Sequence, residues 1–125
     1  MMQGQCLCGA VSYEVEGKAQ GASVCHCSQC RRQSGHLWAS AYVLEDLIVI
    51  KGPVRWFEAS EEARRGFCPK CGSSLFWQAH DEDTISFSLG SLKDDSDINL
   101  QKHIFVASKG DYYDIADGLP IMGES

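Results

Sequence analysis

An all-β fold of stacked antiparallel sheets, with few and short helical turns, is what this sequence predicts, and three observations carry the prediction. Apolar residues recur mostly with a period of two, the pattern of strands buried on one face. The stretches that show it are short and bounded by turn residues, as in sandwiches and open barrels. All seven cysteines fall into three tight clusters: Cys6-Leu7-Cys8, Cys25-His26-Cys27-Ser28-Gln29-Cys30 and Cys68-Pro69-Lys70-Cys71-Gly72. Partners one or two residues apart are poorly placed for a disulfide framework, and an odd count leaves one cysteine over. The same spacing suits thiolates that share a metal ion. The chain therefore reads as a single zinc-binding domain over residues 1–125. A domain of this size has little core to spare and gains from a structural metal.

The first strand is Val11, Tyr13 and Val15 alternating with Ser12, Glu14 and Glu16, half-buried by its pattern. Residues 37–43 read as a more buried strand. Shorter ones fit residues 47–50, 54–57, 64–67, 75–78 and 84–89, with Gly52-Pro53 and Gly90 as punctuation. Helical turns are expected only at residues 28–33 and 97–103. Trp38, Trp56 and Trp77 lie in strand patterns and are expected in the core. Asp81-Glu82-Asp83 reads as a solvated hairpin turn and Lys93-Asp94-Asp95 as a solvated loop. The cysteine clusters then fall in loops or at strand ends.

Composition narrows the function. Eleven basic and seventeen acidic side chains give a net charge of −6, which argues against nucleic-acid binding. The longest apolar run, Leu47-Ile48-Val49-Ile50, is too short to span a membrane. The start, Met1-Met2-Gln3-Gly4, shows no charged segment followed by an apolar run, so no signal peptide is expected. A reducing, cytoplasmic setting follows, in which cysteine clusters point to metal or catalysis.

Zinc takes four ligands in a tetrahedron, and seven cysteines divide most simply into four and three. Cys25, Cys27 and Cys30 lie within six residues, so one loop can wrap all three around one ion. Cys6 and Cys8 face one side if they lie on a strand. Cys68 and Cys71 flank a turn that Gly72 completes. A metal joining these two pairs clamps distant segments and is closed and structural. The three-cysteine group needs a fourth ligand. Either its fourth position is open to water or substrate, as in a catalytic site, or His36, His80 or His103 closes it. At an open position an incoming thiol becomes a bound thiolate. His26, between two ligands, points away from them on extended backbone and is either a packing residue or an acid–base group. Arg31 and Arg32 either bind a substrate carboxylate or solvate a turn.

The order Cys-x-Cys-Gly-Ala-Val-x-Tyr, Cys-His-Cys-x-x-Cys-Arg and Phe-Cys-x-x-Cys-Gly-Ser-x-Leu resembles the glutathione-dependent formaldehyde-activating enzyme family, which includes centromere protein V. Here those segments are residues 6–13, 25–31 and 67–75, and His103-Ile104-Phe105 and Asp117-Gly118-Leu119-Pro120 resemble its C-terminal pattern. The resemblance implies an all-β fold with two zinc ions. It implies a structural ion on Cys6, Cys8, Cys68 and Cys71. It implies a second ion on Cys25, Cys27 and Cys30, where glutathione sulfur binds; a pocket over that ion lined by Arg31 or Arg32 favours an enzyme. The implied activity is a carbon–sulfur lyase that condenses glutathione, or a related thiol, with formaldehyde or another small aldehyde. A non-catalytic two-zinc module for a protein or thiol ligand is the alternative. The chain carries little sequence ahead of Cys6, a departure from the named enzyme that bears on the walls of a glutathione pocket.

Overall fold

Tyr13 lies where two sheets meet, and its neighbours describe the architecture. The computed structural model describes residues 1–125. Its strands are β1 (Met2–Gln5), β2 (Ser12–Val15), β3 (Gln20–Cys25), β4 (Trp38–Leu44), β5 (Ile48–Lys51), β6 (Arg55–Glu58), β7 (Ala63–Phe67), β8 (Ser74–Ala79), β9 (Thr84–Ser88) and β10 (Lys102–Ile104). The one α-helix, α1, is Ser28–Ser34, and 3₁₀ turns occupy Glu45–Leu47, Leu89–Ser91 and Val106–Ser108. Strands β1-β2-β5 form a small sheet, and β10-β3-β4-β9-β8-β7-β6 form a seven-stranded one. Val11, just ahead of β2, and Tyr13 and Val15 on it cluster with Ala41, Val43, Leu75, Phe76, Ile85 and Phe87 from the large sheet. The Tyr13 ring meets Phe76 edge-on, with centroids 5.2 Å apart. Each large apolar side chain buried in this layer contributes about 1.5–3 kcal/mol of transfer free energy. No helix is long and apolar enough to cross a membrane.

The strands foreseen from alternation are present, with ends shifted by a residue or two. Asp81-Glu82-Asp83 forms the exposed turn of the β8–β9 hairpin. Trp38 is buried, whereas Trp56 and Trp77 are half-buried. Residues 28–33 are helical as expected, but residues 97–103 are not. Asp97 takes a left-handed φ of 59°, and Lys102, His103 and Ile104 pair with Ser23, Val24 and Cys25 of β3. That pair is parallel, the exception in otherwise antiparallel sheets. Ile98, Leu100, Lys102 and Ile104 recur with a period of two, so nothing periodic favoured a helix there.

Three connections position the cysteines. Cys6 and Cys8 lie in the turn between β1 and β2, beyond the strand rather than on it. Cys68 and Cys71 lie in the turn between β7 and β8, where Gly72 adopts a φ of 82° and its N–H reaches Cys68 O at 2.8 Å. A side chain with a Cβ resists that backbone, which is why glycine ends the knuckle. Cys25 ends β3, and the chain turns directly into α1 with Cys27 as the N-cap residue.

Candidate functional site

The β1–β2 and β7–β8 turns meet, and Leu7 N–H donates to Ser73 Oγ at 3.0 Å across them. The sulfurs of Cys6, Cys8, Cys68 and Cys71 lie within 4.8 Å of one another. Cys6 to Cys8 is 3.7 Å and Cys8 to Cys68 is 3.8 Å. Four thiolates about 2.3 Å from one tetrahedral ion stand about 3.8 Å apart, so the residues fit such an ion. All seven cysteines are free thiols. The Ser73 hydroxyl, followed by backbone N–H groups, lowers the Cys71 thiol to about 5. Cys8 moves the other way. The N–H of Ala10 favours its thiolate, but partial burial and the sulfurs of Cys6, Cys68 and Cys71 outweigh it and push the thiol up to about 11. Clustered thiolates repel, and a divalent cation is what removes that conflict.

The second group is Cys25, Cys27 and Cys30, again with all sulfurs within 4.8 Å. Cys25 is fixed by β3 and Cys30 by α1. Cys27 caps α1, its sulfur accepting from Cys30 N–H at 3.3 Å. Gly35 closes the helix in the left-handed region with φ 87°. Cys30 is lowered to about 6, first by its hydrogen bond with Cys25 and then, against burial, by the charge and N–H donors of Arg65. Cys25 is pushed upward by the same bond and by burial. The hydrogen bond between these two sulfurs thus moves the two thiols in opposite directions. Arg65 of β7 donates to Cys30 Sγ from Nη2 at 3.5 Å and from Nη1 at 3.6 Å. It also donates to Gln29 Oε1 and Gln33 Oε1, each at 3.2 Å.

No histidine nitrogen or carboxylate joins these three sulfurs. The histidines weighed as a fourth ligand are engaged elsewhere: His80 with Glu58 at 2.6 Å, His36 with Tyr112 at 2.5 Å, and His103 with Asp117 at 2.8 Å. The group borders a cleft of about 660 Å³, within the range of small-molecule sites. Trp38 and Trp77 form its apolar walls, while Arg65, Lys102 and Glu62 are its charged ones. Arg31 and Arg32 do not border it. They follow Cys30 on α1, and each helical residue turns about 100° further round, so neither shares the face of Cys30.

His26 is fully buried and belongs to a chain that the cysteine spacing did not reveal. Its Nδ1 bonds the Tyr113 hydroxyl, and its Nε2 lies 2.9 Å from His103 Nδ1. One assignment of hydrogens satisfies every atom: Tyr113 O–H donates to His26, His26 Nε2–H to His103, and His103 Nε2–H to Asp117. Burial, then the nearby His103, lowers the pKa of His26. On β10, Lys102 and Ile104 border the cleft and His103 does not, so the chain supports the cysteine loop from the face away from the cleft.

Similarity to known proteins follows the same segments. The family model for glutathione-dependent formaldehyde-activating enzyme matches residues 1–108. An uncharacterized lyase of Schizosaccharomyces pombe is 25% identical over 122 residues, spanning 92% of this chain and 85% of that protein. A crystal structure of a Rhodobacter sphaeroides protein matches with a TM-score of 0.61 and 27% identity, over 77% of this chain and 92% of that one. With the cysteine clusters, the fold and the matched span in agreement, the chain belongs to the glutathione-dependent formaldehyde-activating enzyme family.

Proposed function

We propose that this protein is a zinc-dependent carbon–sulfur lyase that takes a glutathione-type thiol at Cys25, Cys27 and Cys30 and joins it to, or releases it from, formaldehyde or another small aldehyde. One observation carries the reading: three cysteine sulfurs gathered within 4.8 Å, with no fourth side-chain ligand, beside a cleft of small-molecule size. Family membership and the lyase-named relative support a lyase-type role. Cys6, Cys8, Cys68 and Cys71 hold a second, structural zinc in this reading. A divalent ion at the three-cysteine group supplies positive charge and an open coordination position, both of which favour a thiolate over a thiol.

The chain's own residues do the rest. Trp38 and Trp77 exclude water from the cleft wall. Lys102 pairs in register with Ser23, two residues along β3 from Cys25, or about 7 Å of strand. It is therefore suited to take a carboxylate of a thiol whose sulfur rests at the cysteines, one of the two roles open to Arg31 and Arg32, which lie off the cleft. Glu62, also on the cleft, is the counterpart for an ammonium group. In the condensation a carbon–sulfur bond forms, the carbonyl pair moves to oxygen, and the proton lost by sulfur ends on that oxygen. The lyase direction reverses each change. A non-catalytic module closed by a histidine is disfavoured, because each candidate histidine is committed to another partner.

Exchange between ¹³C-formaldehyde and its glutathione adduct, followed by NMR, tests the proposal. Zinc-loaded protein is expected to raise the exchange rate above the spontaneous one, and Cys27→Ser to abolish the gain. No gain with glutathione or with other carboxylate-bearing thiols rejects the lyase reading.

A further inference from the structure

We propose that Arg65 is the positioning residue that lets the three-cysteine group accept a fourth sulfur as thiolate. The inference rests on the metal reading above and goes beyond it, naming what makes the site selective for an anionic ligand. Arg65 is buried, with 6% of its surface exposed. A buried guanidinium is costly unless it faces an anion. The protein's ion pairs are His80 with Glu58 and His103 with Asp117, so no carboxylate lies within 4.0 Å of Arg65. Its partners are two neutral glutamine oxygens and one sulfur, that of Cys30. The sole candidate anion at this cation is therefore the Cys30 thiolate.

The arrangement is braced. Gln29 and Gln33 flank Cys30 on α1 and both accept from the guanidinium, which fixes its planar fork against the sulfur. Arg65 is also one of the walls of the cleft that Cys30 borders. Charge counting gives the consequence. Three thiolates on a divalent ion leave a formal charge of −1, which repels a fourth. With Arg65 included the centre is neutral, and a thiolate enters without that penalty. Arg65 acts through Cys30 and the local field, and transfers no proton.

Cobalt substitution reads this without turnover. Protein loaded with Co²⁺ gives a thiolate-to-metal absorption band, and glutathione titrated into wild type is expected to raise it. In Arg65→Met the glutathione midpoint is expected to shift about 10–100-fold higher, the range of one charge-assisted contact. The pH at which glutathione half-saturates should also rise, while binding of the neutral ligand imidazole should not weaken, a contrast that loss of packing alone does not produce. Arg65→Lys keeps the charge but loses the fork, and an intermediate shift of about 3–10-fold is expected. An unchanged midpoint and pH profile in Arg65→Met overturns the inference. If Arg65→Met fails to fold or loses the four-cysteine ion, Arg65→Lys decides, and a wild-type titration there overturns it. A wild-type protein that binds one cobalt per chain, or shows no response to glutathione, rejects the metal-and-thiol reading and this inference with it. A responsive wild type with an indifferent Arg65→Met rejects this inference alone.

Discussion

Tyr13 shows how one side chain couples the core to solution conditions. Its ring is buried between Phe76 and Phe87, and its hydroxyl bonds Ser91 Oγ at 2.5 Å and Ser88 O at 3.3 Å. Burial pushes the phenol up to about 12, although the bond to Ser91 works in the other direction. The folded state thus prefers the neutral phenol. That preference contributes fully below the unfolded value near 10 and is lost as pH rises through 12. A shift of this size corresponds to about 2–3 kcal/mol. Denaturant midpoints taken from pH 8 to 12 should fall more steeply for wild type than for Tyr13→Phe, and equal slopes would clear the phenol of this role. Tyr13 was legible from the sequence because it alternates with polar neighbours. The cysteine groups were legible because metal-ligand spacing is local. Arg65 was not: its partner Cys30 is 35 residues away, and one inward-facing charge in a strand looks like any surface arginine. Arg31 and Arg32, by contrast, stand out as cations because they are near Cys30 in sequence, yet the helix turns them off its face and neither borders the cleft.

Elements rather than single residues decide how firmly the cysteine loop is held. β3 and α1 supply its two ends, and β10 supports it from behind with the segment that follows. His26 N–H donates to Ile104 O at 3.0 Å, and Met122 N–H to His103 O at 2.9 Å, so the C-terminal segment docks on the strand that carries His103. β10 and β1 escaped the sequence reading because their own side chains carry too little apolar pattern: each is held extended by a partner, β10 by the distant β3 and β1 by the neighbouring β2. Met2 to Gln5 pair with Val15 to Ser12, and Gly4 lies under the Tyr13 ring, where a Cβ would come within 2.2 Å of it. β3 was missed because its last four residues are all buried, which hides alternation. Replacing His103 by alanine leaves His26 Nε2 buried without a partner, at about 1–3 kcal/mol. Chelator competition should then release the three-cysteine ion sooner while the four-cysteine ion leaves at its usual rate. Tyr113→Phe should do the same more weakly. Equal acceleration of both ions would mean that the chain stabilises the fold in general rather than this loop.

At the scale of the whole molecule, the two cysteine groups differ in what they tie together. Cys6 and Cys8 belong to the small sheet's turn, and Cys68 and Cys71 to a turn of the large sheet some sixty residues on. A metal there cross-links the two layers of the sandwich and closes a long loop, and its binding energy is folding energy. Cys25, Cys27 and Cys30 span six residues between one strand and one short helix. A metal there constrains little that the sheets do not already fix. Cys71→Ser is therefore expected to lose soluble expression or to melt far below wild type, because it removes a ligand from the clamp. Cys27→Ser, whose half-buried side chain lies at the cleft, should stay folded, keep one ion and lose the second together with activity. Metal analysis during chelator titration of the wild type should show the same order, with one ion gone before the near-UV signal of the buried aromatics collapses. Thermal melts and metal content of the two variants, measured side by side, check the division of labour. Equal destabilisation of both, or loss of both ions in a single step, would show that the two groups form one structural unit and that the three-cysteine group has no independent chemical role.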